Sequence, residues 1–372
     1  MICKRCLYSD DILGVTLNAE SVCNFCQLHD RLEKQYPISW ADLSTTFERV
    51  KSRGKGHKYD CLVGISGGID STFMLHLCKV HQVRVLPFHM DNGFNTEQAE
   101  HNMRAICEYT GYKMERFIVP SEKWRKVNVA VLMAGVSDAD IPNDIAMAKL
   151  MLDTAHAQDC PIILNGHSFR NEGSVPIGWT YMDGAYLKDM YRRYWHEELT
   201  GFPILTVWDQ IKASLRGIKH ERPLYHLGLT KEEQIIILEG VIDFKRYQGR
   251  HCENDYTAFA GWLTYQRFGI DKRIIDLSAQ IRSGRISKWD AQVVLKSSPG
   301  RLAQHTIDRV THFLSVDELM VIPFVTGIRK MFYEFHTYQK TFRRYRWLVK
   351  IGVVLRFLPE TFLKKYCQKL KY

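Results

Sequence analysis

From Tyr59 onward the chain alternates short apolar runs with segments of helical length. The short apolar runs Tyr59 to Ile65, Val83 to Met90, Met114 to Val119 and Pro161 to Leu164 are the strand candidates. Between them the spacing predicts helices over about residues 71–81, 95–110, 121–134 and 144–158. Alternation of this kind predicts an α/β domain, a parallel sheet covered by helices on both faces. After about Thr206 the strand signals fade. Lys231 to Gly240 and Asp271 to Gly284 read as helices, with Thr230 as an N-cap and Gly284 as a stop.

A chain of 372 residues exceeds one ordinary core, so two or three domains are expected. The pattern divides it into a short cysteine-paired segment (1–30), a helical connector (31–58) and the α/β domain (59–205). A mostly helical region for substrate or partner (206–328) and a basic aromatic tail (329–372) follow. There is no internal repeat and no low-complexity tract.

Candidate chemistry begins where the first strand ends. Ser66-Gly67-Gly68-Ile69-Asp70-Ser71 joins that strand to a helix whose Phe73, Leu77 and Val80 share one face. Two adjacent glycines let the backbone approach an anion, and the helix start aims free N–H groups and its positive dipole end at it. Ser66 and Ser71 add hydroxyls, and Asp70 can hold a magnesium ion. No Gly-Lys-Ser or Gly-Lys-Thr closes the loop, so it is not a Walker A sequence. It resembles instead the Ser-Gly-Gly-X-Asp-Ser signature of PP-loop enzymes (adenine nucleotide alpha hydrolases), and that resemblance implies ATP, attack on the alpha phosphate and release of pyrophosphate. A plain serine and glycine turn is the bland alternative. Asp91, after the second strand, and Gly166 and His167, after the fourth, stand where such a sheet places nucleotide contacts; His167 is equally readable as a structural histidine. Asp144 is a weaker candidate of the same kind.

The cysteines add a second feature. Cys3 and Cys6, Cys23 and Cys26 form two CxxC pairs separated by sixteen residues, the spacing of a tetrahedral zinc site. The competing reading is a redox pair. The other six cysteines are scattered, which argues for reduced thiols and a cytoplasmic setting. No apolar N-terminal run resembles a signal peptide, and the tail's longest apolar stretch, Ile351 to Pro359, is too short to span a bilayer.

Charge changes the picture only at one end. The formal net charge is +10, and Arg329 to Tyr372 carries twelve Lys or Arg against Glu334 and Glu360 alone, so the rest of the chain is near neutral. That balance speaks against a surface tracking a nucleic acid. In the tail Phe342, Tyr345, Trp347, Phe357, Phe362 and Tyr366 interleave with Arg343, Arg344, Arg346, Lys364, Lys365 and Lys369. Such a stretch fits either an anionic membrane surface or an aromatic side packed on the protein.

Up to about residue 295 the chain resembles the N-acetyl sugar amidotransferases of bacterial surface-polysaccharide and lipopolysaccharide O-antigen biosynthesis. The resemblance rests on the cysteine pairs and the loop, and on Pro142-Asn143-Asp144, Ile163 to His167, Pro176 to Trp179 and Phe202-Pro203. Further along it rests on Tyr247-Gln248-Gly249-Arg250-His251 and Phe268 to Arg273 followed by Leu277-Ser278. At position 252 a cysteine stands where that pattern carries a histidine, and a structural role for the cluster at His251 stays open. The resemblance implies that ATP activates the acetamido oxygen of a sugar nucleotide and that ammonia replaces it, giving an acetamidino sugar. It further implies separate glutaminase and cyclase-like subunits as the ammonia source, a place at the inner membrane, and substrate contacts from Asp144, Arg250, His251, Lys272 and Arg273. A solvated charge pair is the plainer reading of the last two. A tRNA-thiolating PP-loop enzyme and a non-catalytic zinc-ribbon binding protein are the competing functions. Against the first, no CxxC occurs after Cys26.

Overall fold

The four apolar runs form parallel strands: β1 (Cys61–Gly64), β2 (Val85–Asp91), β3 (Glu115–Ile118) and β4 (Ile162–Leu164). The architecture is that of a computed structural model, which describes residues 1–247, 252–297, 299, 301–315, 324–355, 358 and 360–367. A fifth strand, β5 (Lys219–Glu221), pairs with β4 and extends the sheet past residue 205, into the stretch read as helical. Its Lys-His-Glu sequence has no apolar signal because an edge strand needs only backbone partners on one side.

The helices before the tail include α1 (Asn24–Gln35), α2 (Trp40–Gly54), α3 (Ile69–Val80), α4 (Glu97–Thr110), α5 (Ser121–Ala134), α6 (Ile141–Ala157), α7 (Gly184–Trp195), α8 (Val207–Leu215), α9 (Lys231–Glu239), α10 (Asp255–Phe268), α11 (Arg273–Arg282), α12 (Lys288–Lys296) and α13 (Gln304–Leu314). Helices α7 and α8 lie where no individual helix is predicted above. The helix predicted near 144 starts three residues earlier, with Pro142 in its first turn.

The strand order is β3-β2-β1-β4-β5, all parallel, so the order reverses at β1. Alternate side chains feed two cores. Leu62 and Ile163 point to the layer of α5, α6 and α7, which holds Trp124, Ile145 and Tyr186. Cys61, Val63, Ile162 and Leu164 point to the layer of α2, α3 and α9, with Phe47, Phe73 and Leu238. Each large apolar side chain buried in this way contributes roughly 2 kcal/mol. Helix α2 therefore belongs to the sheet's own core, and α1 starts at Asn24, within the cysteine-paired segment.

The tail ends in three short helices, Gln339–Arg344, Arg346–Val354 and Glu360–Cys367. Phe342, Phe362 and Tyr366 stack with centroids 4.5 to 5.0 Å apart and join the first core, so much of the aromatic side packs on the protein. Among the described residues no helix is long and apolar enough to cross a membrane.

Candidate active site at the strand switch point

Where the strand order reverses, the loops after β1 and β4 face each other, and open α/β sheets bind their ligands in that crevice. Here the two loops touch: a Cβ built on Gly166 would lie 3.6 Å from the Asp70 carbonyl carbon. The Ser66–Ser71 loop holds its own shape. The Ser66 amide donates to Ser71 Oγ (3.2 Å), the Gly68 amide to Ser66 Oγ (3.3 Å) and the Ser71 hydroxyl to the Gly68 carbonyl (3.2 Å). Gly67 takes φ +77°, with the Ala99 carbonyl oxygen 2.4 Å from where a Cβ would be, so α4 sits directly on the loop.

Asp70 occupies the second position of α3. Its Oδ2 meets Lys231 Nζ at 3.1 Å, and the same ammonium lies 3.7 Å from Glu172. Burial and the Glu172 charge push the Asp70 carboxyl up to about 7 against the pull of Lys231. Its other oxygen, Oδ1, is buried without a hydrogen-bond partner. A buried orphan acceptor at the mouth of an anion-binding loop fits a hard divalent cation such as magnesium. Neither Lys231 nor Glu172 was singled out from sequence: Lys231 opens α9 inside a Thr230/Glu233 capping box, which accounts for its surroundings without any site.

Asp91 faces the same edge, but its oxygens are engaged by the Gly93 amide (2.9 Å) and Arg116 (2.9 Å), which also pairs with Glu100. His89 donates from Nδ1 to the Ile65 carbonyl (2.7 Å) and accepts at Nε2 from Asn95 (2.8 Å), fixing the strand end that leads into the loop. The ligand atoms of His89, Asp91 and Glu100 lie within 4.8 Å of one another, yet Arg116 already balances both carboxylates. His167 donates from Nε2 to the Gly173 carbonyl (2.8 Å), leaving Nδ1 to accept from the Tyr225 hydroxyl (3.4 Å). Those bonds shape the 165–173 loop.

Asp144 stands apart from the loop, in an acidic corner with Asp138 and Asp140. It keeps solvent contact but is ringed by protein, and that enclosure together with its two neighbours holds its carboxyl well above the usual range. Lys272 reaches this corner, 3.5 Å from Asp138. Arg273 does not: it folds back on Asp271 (2.7 Å) and the Ser297 carbonyl (2.7 Å). Arg250 and His251 lie outside the described residues.

The cysteine segment forms its own centre. All four Sγ atoms are buried and within 4.8 Å of one another, with separations of 3.6 to 3.8 Å for the closest pairs. Four sulfurs about 2.3 Å from one zinc ion would stand about 3.8 Å apart, so the residues fit a tetrahedral zinc. A disulfide needs sulfurs at about 2 Å, and an iron-sulfur cube binds each thiolate to a different iron and holds them farther apart. Arg282 donates to Cys6 Sγ (3.2 Å) and lies over Tyr8, countering the excess thiolate charge. Lys288 Nζ meets the Cys3 carbonyl at 2.6 Å and the Leu7 amide donates to Ser278, so the centre braces α11 and the turn before α12.

Sheet, loop and switch-point crevice define a parallel α/β protein with an anion-binding glycine loop at the point where its strand order reverses. Residues 243–349 match a family described as "LPS biosynthesis protein WbpG-like, C-terminal domain". No curated protein matches the chain. Among solved structures it is similar to NMN synthetase from Francisella tularensis, at 12% identity over 74% of this chain and 93% of that one, with a TM-score of 0.32. NAD+ synthetase from Burkholderia Pseudomallei is similar at 13% identity, 79% and 98% coverage and a TM-score of 0.31. U34-tRNA thiolase NcsA from Methanococcus maripaludis is similar at 12% identity, 82% and 93% coverage and a TM-score of 0.28.

The WbpG-like segment closes directly on the phosphate loop. The Tyr247 hydroxyl donates to the Gly67 carbonyl (2.9 Å), and Glu253 Oε1 would lie 3.2 Å from a Cβ on Gly68. Asn254 donates to Asn92 Oδ1 (2.8 Å), and Arg309 donates to the Gly93 carbonyl (2.7 Å).

Proposed function

We propose that the chain is an ATP-dependent amidotransferase of lipopolysaccharide biosynthesis that converts the acetamido group of a sugar nucleotide into an acetamidine. The observation that carries this reading is the junction just described: the segment matched to a lipopolysaccharide-biosynthesis family clamps the nucleotide loop through Tyr247 and Glu253. An acetamido carbon is a poor electrophile and its oxygen a poor leaving group, so the reaction needs activation before ammonia can act. The amide oxygen attacks the alpha phosphate of ATP and pyrophosphate departs. Ammonia then adds at the activated carbon and the C–O bond breaks, releasing AMP and a proton.

In this reading the amides of Ser66 to Ser71 and the start of α3 hold the departing pyrophosphate. Magnesium at Asp70 offsets phosphate charge. Lys231 orients Asp70 and screens it from Glu172. The acidic corner of Asp138, Asp140 and Asp144 supports a product that gains positive charge at neutral pH. Ammonia comes from separate glutaminase and cyclase-like subunits, the source that the resemblance to the sugar amidotransferases implies.

The test is mass spectrometry of N-acetylated sugar nucleotides incubated with the protein, ATP, magnesium and ammonium. A loss of about one mass unit, oxygen exchanged for NH, is the expected signature. Sugar-dependent pyrophosphate release must accompany it. Release that depends on tRNA, or on neither addition, sinks the proposal.

A further inference from the structure

We propose that the helix Arg346–Val354 is an interfacial anchor that seats this chain on an anionic lipid bilayer. The helix has two apolar sides. Val349, on its inner side, is buried and belongs to the core with Leu358, Phe362 and Tyr366, which fixes the helix rigidly to the protein. On the opposite side Trp347 (61% exposed), Leu348, Ile351 (47%), Val354 (79%) and Leu355 point outward. At about 100° per residue, positions i, i+1, i+4, i+7 and i+8 form one continuous stripe. A stripe of five large apolar side chains exposed together is far outside the scattered singles of an ordinary surface.

Charge selects the occupant. From Phe335 to Leu355 there is no Asp or Glu, whereas Lys340, Arg343, Arg344, Arg346 and Lys350 are all exposed. Arg346 and Lys350 fall along one border of the stripe, where long side chains can reach lipid phosphates while their stems lie on the apolar boundary. Trp347 is the residue type that favours the headgroup level. A second copy of this chain would bring like charges together across the same face, and an uncharged groove would leave five cations unanswered. A negatively charged bilayer satisfies both halves of the face, with the stripe immersed roughly 5–10 Å. Nine residues span only about 14 Å, and among the described residues no helix is long and apolar enough to cross, so the helix lies at the surface of the bilayer.

The experiment uses the full chain with vesicles of phosphatidylglycerol in phosphatidylcholine and with pure phosphatidylcholine vesicles. Co-sedimentation should occur with the anionic vesicles alone and weaken as salt rises from about 0.05 to 0.5 M, which shortens the screening length about threefold. Ile351→Glu and Val354→Glu should abolish it with ATP binding by calorimetry unchanged. Each of Arg343→Gln and Lys350→Gln should weaken partitioning roughly fivefold, equivalent to about 1 kcal/mol per cation. A fluorescence difference between the unaltered chain and Trp347→Phe should move to the blue when anionic vesicles are added. The proposal is overturned if the unaltered chain stays in the supernatant, or if the glutamate variants sediment as it does. It is also overturned if the chain forms a dimer that Val354→Glu dissociates without any vesicle binding, which would make the stripe a protein contact.

Discussion

Gly67→Ala tests whether the phosphate loop is built as described. The residue has φ +77°, a region that costs an L-residue about 1 kcal/mol. The new methyl would stand 2.4 Å from the Ala99 carbonyl oxygen and 2.8 Å from the Ala99 Cα. Both are backbone atoms in the first turn of α4, which Thr96 caps, so no side chain can swing aside. Relief requires parting loop and helix by about 1 Å, to ordinary contact near 3.5 Å. That movement strains the bonds from Asn102 Nδ2 (3.1 Å) and the Tyr247 hydroxyl (2.9 Å) to the Gly67 carbonyl, at about 1 kcal/mol each. The expected loss is about 3–4 kcal/mol, which lowers the melting temperature of a chain this long by about 4–5 °C. Gly68→Ala provides the contrast. Its backbone is extended, and the nearest atoms are the Glu253 and Ser66 side-chain ends at 3.2 Å, which can rotate away. It should cost little stability yet weaken ATP binding, because the methyl fills the anion's place. Calorimetric unfolding and ATP titration read the two effects separately. If Gly67→Ala melts within 1 °C of the unaltered chain, roughly the uncertainty such a scan carries, the packing of α4 on the loop is wrong.

Replacing Lys231 with Met removes the ammonium that lies between Asp70 and Glu172, and should weaken magnesium-dependent ATP binding about tenfold, or about 1.4 kcal/mol, measured by titration calorimetry. Cys6→Ser should drop bound zinc from about one ion per chain to none in elemental analysis, and lower the melting temperature by loosening α11. His29 is buried against Phe169 near Arg170 and Arg282, and burial holds its imidazole down at about 4 despite Glu33. The folded state therefore binds fewer protons than the unfolded state between these values. The stability is complete above the ordinary value of about 6.5 and is lost as pH falls toward 4, by about 3 kcal/mol. His29→Phe should flatten that part of the pH–stability curve; an unchanged slope would show that another group produces it.

The strand positions, the phosphate loop and the cysteine centre were legible in the sequence because each is local. Four short apolar runs reported the strands, of which β1, β2 and β4 are buried and the edge strand β3 is half exposed, and Ser66 to Ser71 carried its glycines, acid and helix start within six residues. What stayed hidden was either polar or distant. β5 is Lys-His-Glu and owes its place to pairing with Ile162–Leu164. Helix α7 was missed although Asp183 caps it and Tyr186, Leu187, Met190 and Tyr191 share its buried face. Asp91 ends β2 and His167 follows β4, at the carboxyl edge of the sheet. The sequence could not show that Arg116, Gly173 and Tyr225 already hold them.

The residues that complete the crevice share one property: each comes from a different part of the chain and looks ordinary there. Glu172 lies in a loop, Lys231 in a capped helix turn and Glu253 just before α10. They converge because the strand order reverses at β1, where the loops after β1 and β4 meet and neighbouring segments wall the crevice above them. A parallel sheet thus fixes where a nucleotide can sit. What is done with it depends on which segment forms the wall, and here that wall is the WbpG-like region through Tyr247, Glu253 and Arg309. Specificity should therefore travel with residues 243–349, and activation of the phosphate with residues 66–71. Substitutions in the first set should change which acceptor stimulates pyrophosphate release, while substitutions in the second should abolish release for every acceptor.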